Sequence, residues 1–126
     1  MNASMMNTSM PFRSPDSRLP LTPISFEILL ALTEGDRHGY AILQQVELRT
    51  AGMLPLRTGT LYRALARLEE AGLIDLVDGP ASDDERRRYY RLTAKGREIA
   101  REEAKRLEDQ VAAARSRKLL SGSNEP

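Results

Sequence analysis

The first dense apolar cluster of the 126-residue chain follows Thr22-Pro23, where Phe26, Ile28, Leu29, Leu30 and Leu32 stand close together. At ~100° per residue these side chains cover most of a helical circumference, which predicts a central, largely buried helix. Thr22 offers an N-cap oxygen, Pro23 suits the first helical position, and Gly35 marks the end. After the turn EGDR, Tyr40, Leu43 and Val46 recur at three-residue intervals, so a second amphipathic helix is expected up to about Thr50, closed by Gly52 and Pro55. Residues 58 to 72, TGTLYRALARLEEAG, predict a third helix with Thr58 as N-cap and Gly72 at a left-handed C-terminal position. Leu61, Leu65 and Leu68 form its apolar stripe. Gly59, Arg63, Ala66 and Glu70 project from the opposite side, flanked by Thr60 and Arg67, with Tyr62 on the other edge.

The period then changes. LIDLVD (73 to 78) and RRYYRL (87 to 92) are short and rich in aliphatic or aromatic residues, and the turn formers of GPASDDE separate them, which predicts a β-hairpin. Tyr90 and Leu92 share the face turned to the helices, and Arg87, Tyr89 and Arg91 share the other. Thr93 caps a final helix in which Ala100, Ala104, Leu107, Val111 and Ala114 are spaced four, three, four, three, a coiled-coil-like seam. Glu102 with Arg106, Glu98 with Arg101 and Glu103 with Arg106 furnish its solvated flank, each pair worth about a few tenths of a kcal/mol. Residues 1 to 20 show neither periodicity nor the apolar core of a signal peptide and are expected to form a disordered arm; 121 to 126 read as a frayed tail.

The resulting fold class is mainly α with a two-stranded β wing. It is a winged helix-turn-helix over 21 to 92 followed by a long C-terminal dimerisation helix over 93 to 120. Leu107 and Val111 are too apolar for the exposed face of a lone helix, so a homodimer is expected.

Charge sharpens this picture only locally. The chain carries 19 Lys and Arg against 18 Asp and Glu, a net charge of +1, yet residues 86 to 97 hold six basic residues and no acid, and the five acids of 75 to 85 come just before. In a winged helix the third helix enters the major groove and the hairpin lies along the backbone. Small Gly59 and Ala66 permit close approach, Arg63 and Arg67 reach base edges or phosphates, and Thr58 and Thr60 sit where a helix N-terminus offers N–H groups to phosphate. Arg86, Arg87 and Arg88 are consecutive, so alternation sends them to both faces of the strand, where they can grip a backbone. Glu69 and Glu70 repel phosphate and turn the end of the third helix away. The acids Asp83, Asp84 and Glu85 at the wing tip keep a second reading open, that of a protein-interaction winged helix that does not bind DNA.

Other chemistries drop out. With no Cys and one His, His38, the chain has no disulfide, no thiolate chemistry and no sulfur-ligated zinc, and neither a metal nor a cofactor is expected. It has no paired nucleophile and base and no Gly-rich phosphate loop, so an enzyme is not expected. No apolar run approaches the ~20 residues needed to cross a bilayer. The Cys-free composition fits a reducing cytosol, and a cytoplasmic, nucleoid-associated location is expected.

The segments LTPISFEILLALTEGDRHGYAI (21 to 42), TGTLYRALARLEEAGLI (58 to 74) and RRRYYRLTAKG (86 to 96) together resemble the PadR family of bacterial transcriptional regulators, over roughly residues 20 to 120. The resemblance implies a winged-helix repressor that dimerises through its C-terminal helix and binds an inverted repeat, often controlling its own gene or a neighbouring operon. It places Thr58, Gly59, Thr60, Tyr62 and Arg63 at the major groove of a palindromic operator, Arg86 to Arg88 in the wing contacts, and Tyr40 near the backbone at the start of the second helix. The single C-terminal helix is that of the short-tailed branch. A small-molecule effector would lodge between the first helix and the partner's last, without the Trp that drug-binding members use to stack a flat ligand.

Overall fold

The computed structural model describes residues 19–82 and 87–121. The first 18 residues of the expected arm, the wing-tip residues Asp83, Asp84, Glu85 and Arg86, and residues 122–126 lie outside them.

Helix α1 (Pro23–Leu32) opens as its sequence dictates: Thr22 Oγ1 accepts the Ser25 N–H at 3.1 Å and Pro23 occupies the first turn. It buries Ser25, Ile28, Leu29 and Leu32 against the other three helices and forms the floor of the core. A short strand β1 (Arg37–His38) follows, then α2 (Gly39–Thr50), α3 (Thr58–Glu70), strands β2 (Ile74–Val77) and β3 (Tyr89–Leu92), and α4 (Ala94–Ser116).

The wing is wider than the expected two strands. β1 pairs antiparallel with β3, Arg37 opposite Tyr90 and His38 opposite Tyr89, so the sheet runs β1-β3-β2. β2 and β3 pair from Ile74 opposite Leu92 to Val77 opposite Tyr89, which buries Tyr90 and half-buries Leu92 on the helix side. The core comprises Ile28, Leu29, Ile42, Val46, Leu61, Leu65, Leu73 and Ile74, none more than 1% exposed.

Three helix ends bear on the site. α3 starts one residue earlier than expected: the Leu61 N–H already reaches the Arg57 carbonyl at 2.9 Å, so Arg57 is the N-cap, without a side-chain bond, and Thr58 is the first helical residue. Its C-terminus closes in a Schellman motif, with Gly72 at φ 81°, Leu73 N–H on the Leu68 carbonyl and Gly72 N–H on that of Glu69. α4 is capped by Thr93, whose Oγ1 accepts the Gly96 N–H at 2.9 Å while donating to the Gly72 carbonyl at 2.7 Å. It ends at Ser116, short of the expected Leu120, because Lys118 takes φ 64° and the Leu119 N–H turns back to the Ala114 carbonyl.

Glu103 corrects the reading of α4's solvated flank. It is 2% exposed and receives two bonds from Arg106, Nε at 2.9 Å and Nη2 at 2.6 Å, together with the Leu21 backbone N–H. The Arg106 bonds hold its carboxyl below the usual pKa; burial opposes this, and the Leu21 bond reinforces it. The chain entering α1 is thereby fastened to α4. Glu98 and Arg101 form the expected exposed pair at 3.5 Å.

Candidate nucleic-acid interface

The face of α3 turned from the core carries Gly59, Tyr62, Arg63, Ala66 and Arg67, all exposed, with Thr58 exposed and Thr60 half-buried at the N-terminal end. The stripe Leu61, Leu65 and Leu68 packs inward, joined by Ala64. Arg63 Nη2 lies 3.4 Å from Thr60 Oγ1, one turn back, so the guanidinium leans toward the N-terminal end of the helix. No acid stands in that first turn; Glu69 and Glu70 close the other end.

The start of α2 lies against this face. Tyr62 crosses it so closely that a Cβ on Gly39 would fall 2.8 Å from the Tyr62 ring carbon Cζ, which is why a residue without a side chain stands there. Gly39, Ile42 and Val46 are buried, and Tyr40 is turned out, 58% exposed. This corrects the expected apolar stripe Tyr40, Leu43, Val46 at its first member: Val46 is buried and Leu43 packs half-buried on the core, but Gly39 under Tyr62 takes the inward place at the start of the helix. Tyr40 and Tyr62 are both exposed.

The wing base completes the surface. Arg87 is exposed and its Nη1 lies 3.0 Å from His38 Nε2. Arg88 donates to the Tyr90 hydroxyl on the helix side of β3; burial raises the pKa of that hydroxyl and the Arg88 bond opposes the rise. Arg91 pairs with Asp36 at 3.3 Å. Arg88 and Arg91 are therefore held by neighbours on the fold, and Arg87 stands against the His38 ring. Arg86, the third member of the expected basic run, lies outside the described residues.

The expected dimer seam divides into two parts. Ala100 is buried in the chain's own core beside Ile99, because the first half of α4 packs on the domain. Ala104 is exposed, Leu107 and Ala114 are half-buried, and Val111 is 42% exposed. Ala104, Leu107 and Val111 line an open groove of about 640 Å³ with Arg101, Lys105 and Glu108 at its edges.

His38, which the sequence presents only as the one histidine and with no metal expected, has a structural place. It caps α2, with Nδ1 accepting the Ala41 N–H at 3.1 Å, and its ring meets Tyr89 edge-on at 5.3 Å. Its place at a predicted helix start was the available signal. No helix among the described residues is long and apolar enough to cross a membrane.

Comparison with known proteins agrees with this geometry. Residues 28–102 match the transcriptional regulator PadR-like family. The chain is 39% identical over 70 residues to an uncharacterised protein of Lysinibacillus sphaericus, a match that takes in 56% of this chain and 64% of that one. Among solved structures, a transcriptional regulator from Clostridium thermocellum superposes with a TM-score of 0.65 at 31% identity, covering 74% of this chain and 87% of the other. Bacillus subtilis PadR, solved in complex with operator DNA, shares the fold with a TM-score of 0.57 at 20% identity, over 66% of this chain and 46% of that one.

Proposed function

The chain belongs to the transcriptional regulator PadR-like family, and from that premise we propose that it is a homodimeric repressor that reads an inverted repeat in duplex DNA and acts in the cytoplasm on its own or a neighbouring operon. The observation that supports this is the exposed outward face of α3, which has no acid in its first turn and carries Arg63 and Arg67 beyond it. Small residues at 59 and 66 let that face sit deep in a major groove, and Arg63 and Arg67 are placed to meet base edges. Tyr40, Thr58, Thr60 and Tyr62 border it and take phosphate, with Arg86 to Arg88 alongside. That a protein of the same fold, Bacillus subtilis PadR, was solved with operator DNA supports duplex DNA as the ligand.

Two copies joined through Leu107 and Val111 present two such surfaces. A palindrome is read when its half-sites lie about 34 Å apart, one duplex turn. Selection of bound duplexes from a random pool tests the whole reading: enrichment of an inverted repeat with half-sites one turn apart is the expected result. Failure to retain any duplex in dilute salt overturns DNA binding. Recovery of a single asymmetric site by a sedimenting monomer overturns the dimer.

A further inference from the structure

We propose that Gly39 is a positioning residue for the duplex contact: the Tyr62 ring lies in the space that its missing side chain leaves, and that seat holds the Tyr62 hydroxyl in one place against the start of α2. The inference rests on the DNA-binding reading above, in which Tyr62 meets phosphate, and adds to it a buried residue of another helix.

Backbone conformation does not ask for glycine at this position. Gly39 is the first residue of α2 and is not among the glycines with positive φ, so alanine fits its dihedral angles and favours the helix. What excludes a side chain is Tyr62. A Cβ on Gly39 would stand 2.8 Å from Tyr62 Cζ, 3.1 Å from Cε1 and closer still to the hydroxyl oxygen, and these are its three nearest atoms. All of them belong to the far end of one side chain, so the ring can swing away from a methyl group without the backbone of either helix moving.

Tyr62 is not a core residue. It is 44% exposed, next to Arg63 on α3, and its hydroxyl is near enough to that of Tyr90 in β3 to oppose its ionisation. A half-exposed tyrosine on a helix ordinarily samples more than one rotamer, and fixing one of them on binding costs part of the affinity that its contact gains. Seated on Gly39, the ring is fixed before the duplex arrives. The place of the hydroxyl is then set by the packing of α3 on α2, and not by the α3 backbone alone.

The full chain and its variants Gly39→Ala, Tyr62→Ala and Gly39→Ala/Tyr62→Ala are titrated by fluorescence anisotropy onto a duplex recovered by selection with the unaltered chain, across a salt series, and each is melted by circular dichroism. Gly39→Ala is expected to melt within a few degrees of the unaltered chain yet bind about tenfold more weakly, the equivalent of one good hydrogen bond. A hydroxyl releases no counterion, so the slope of log affinity against log salt should stay that of the parent. The double variant binds no worse than Tyr62→Ala alone, because the new methyl group acts only on the ring. Parental affinity in Gly39→Ala or in Tyr62→Ala, a Gly39→Ala chain that melts far below the parent, a changed salt slope, or losses that multiply in the double variant each overturn the proposal while leaving the DNA-binding reading intact. If the unaltered chain retains no duplex from the pool, both fall together.

Discussion

Gly96 provides a test of the geometry that holds the wing to the C-terminal helix. It sits in the first turn of α4, where replacing glycine by alanine ordinarily stabilises a helix by about 0.8–1 kcal/mol. Here a Cβ would press on the Leu73 carbonyl oxygen, 3.0 Å from the carbonyl carbon and 2.9 Å from Leu92 Cδ1. A carbonyl in a packed chain does not swing aside like a lysine tail, so α4 must back away from the start of β2. The Leu73 carbonyl also accepts the Thr93 N–H at 3.1 Å, and Thr93 Oγ1 donates to the Gly72 carbonyl, so the retreat strains both bonds. Overpacking at about 1–3 kcal/mol, plus two strained hydrogen bonds at about 1 kcal/mol each, outweighs the helix gain and leaves a net loss of about 2–4 kcal/mol. At about 4–8 °C per kcal/mol for a domain near 100 residues, Gly96→Ala should lower Tm by about 8 °C or more. The control is Gly59→Ala, where the nearest atom to the new Cβ is Arg63 Nη1 at 3.5 Å and stability should hold or rise. Thermal and urea melts followed by circular dichroism decide; a Gly96→Ala protein at least as stable as the parent refutes the packing argument.

Arg63→Ala should weaken binding to a selected duplex and, if its guanidinium meets a phosphate, reduce the slope of log affinity against log salt by about 0.9, read by fluorescence anisotropy across a salt series. Leu107→Glu, on the open face of α4, should yield a folded monomer in sedimentation that retains helicity and loses affinity for the palindrome. Glu103→Gln removes the charge that Arg106 and the Leu21 N–H hold, and because Arg106 is about one third exposed the expected loss is about 1–2 kcal/mol at pH 7. The Glu103 pKa is depressed in the fold, so its contribution is full above the unfolded carboxylate value of about 4.3 and is lost as pH falls through the lower folded value. Urea melts at pH 7 and pH 3 should accordingly show a large difference between parent and variant at the first pH and a small one at the second.

What the sequence made legible was what neighbours along the chain decide. Thr22 and Thr93 announce their helices because a cap bonds an N–H three residues on, and Gly72 announces an end because a left-handed residue is needed there. Thr58 misled by one position because Arg57 takes the cap conformation without any side-chain bond to advertise it. The errors that matter came from contacts distant in sequence. β1 is two residues long and exists because Tyr89 and Tyr90, some fifty residues away, pair with it. The inward place at the start of α2 is taken by Gly39 under Tyr62, a relation the spacing of Tyr40, Leu43 and Val46 does not contain. Glu103 falls on the helical side of Ile99 and Ala100, but its i,i+3 spacing to Arg106 reads as a solvated pair, and its burial depends on the chain entering α1, whose Leu21 N–H it accepts. The residues of the α3 surface, by contrast, could be listed in advance, because its apolar stripe leaves one face to solvent.

The same non-local contacts bear on how a protein of net charge +1 can favour one DNA sequence over bulk polyanion. Arg91 in β3 rests on Asp36, and just before the strand Arg88 rests on the Tyr90 hydroxyl and Arg87 against His38, so each of these guanidiniums already has a neighbour on the fold. To take a phosphate, each must give up or share that neighbour, which lowers the affinity gained from any single backbone contact. Arg63 and Arg67 on α3 are less encumbered, the first leaning on a neutral threonine hydroxyl. Under the proposed docking, loose association with arbitrary sequence gains little from the wing until α3 has seated. The wing arginines exchange partners only when Tyr40 and Tyr62 bring the backbone within reach. Discrimination would then arise from the order of contacts as much as from base-edge chemistry, and weakening the Arg91 to Asp36 pair by Asp36→Ala should raise affinity for random duplex more than for the selected site.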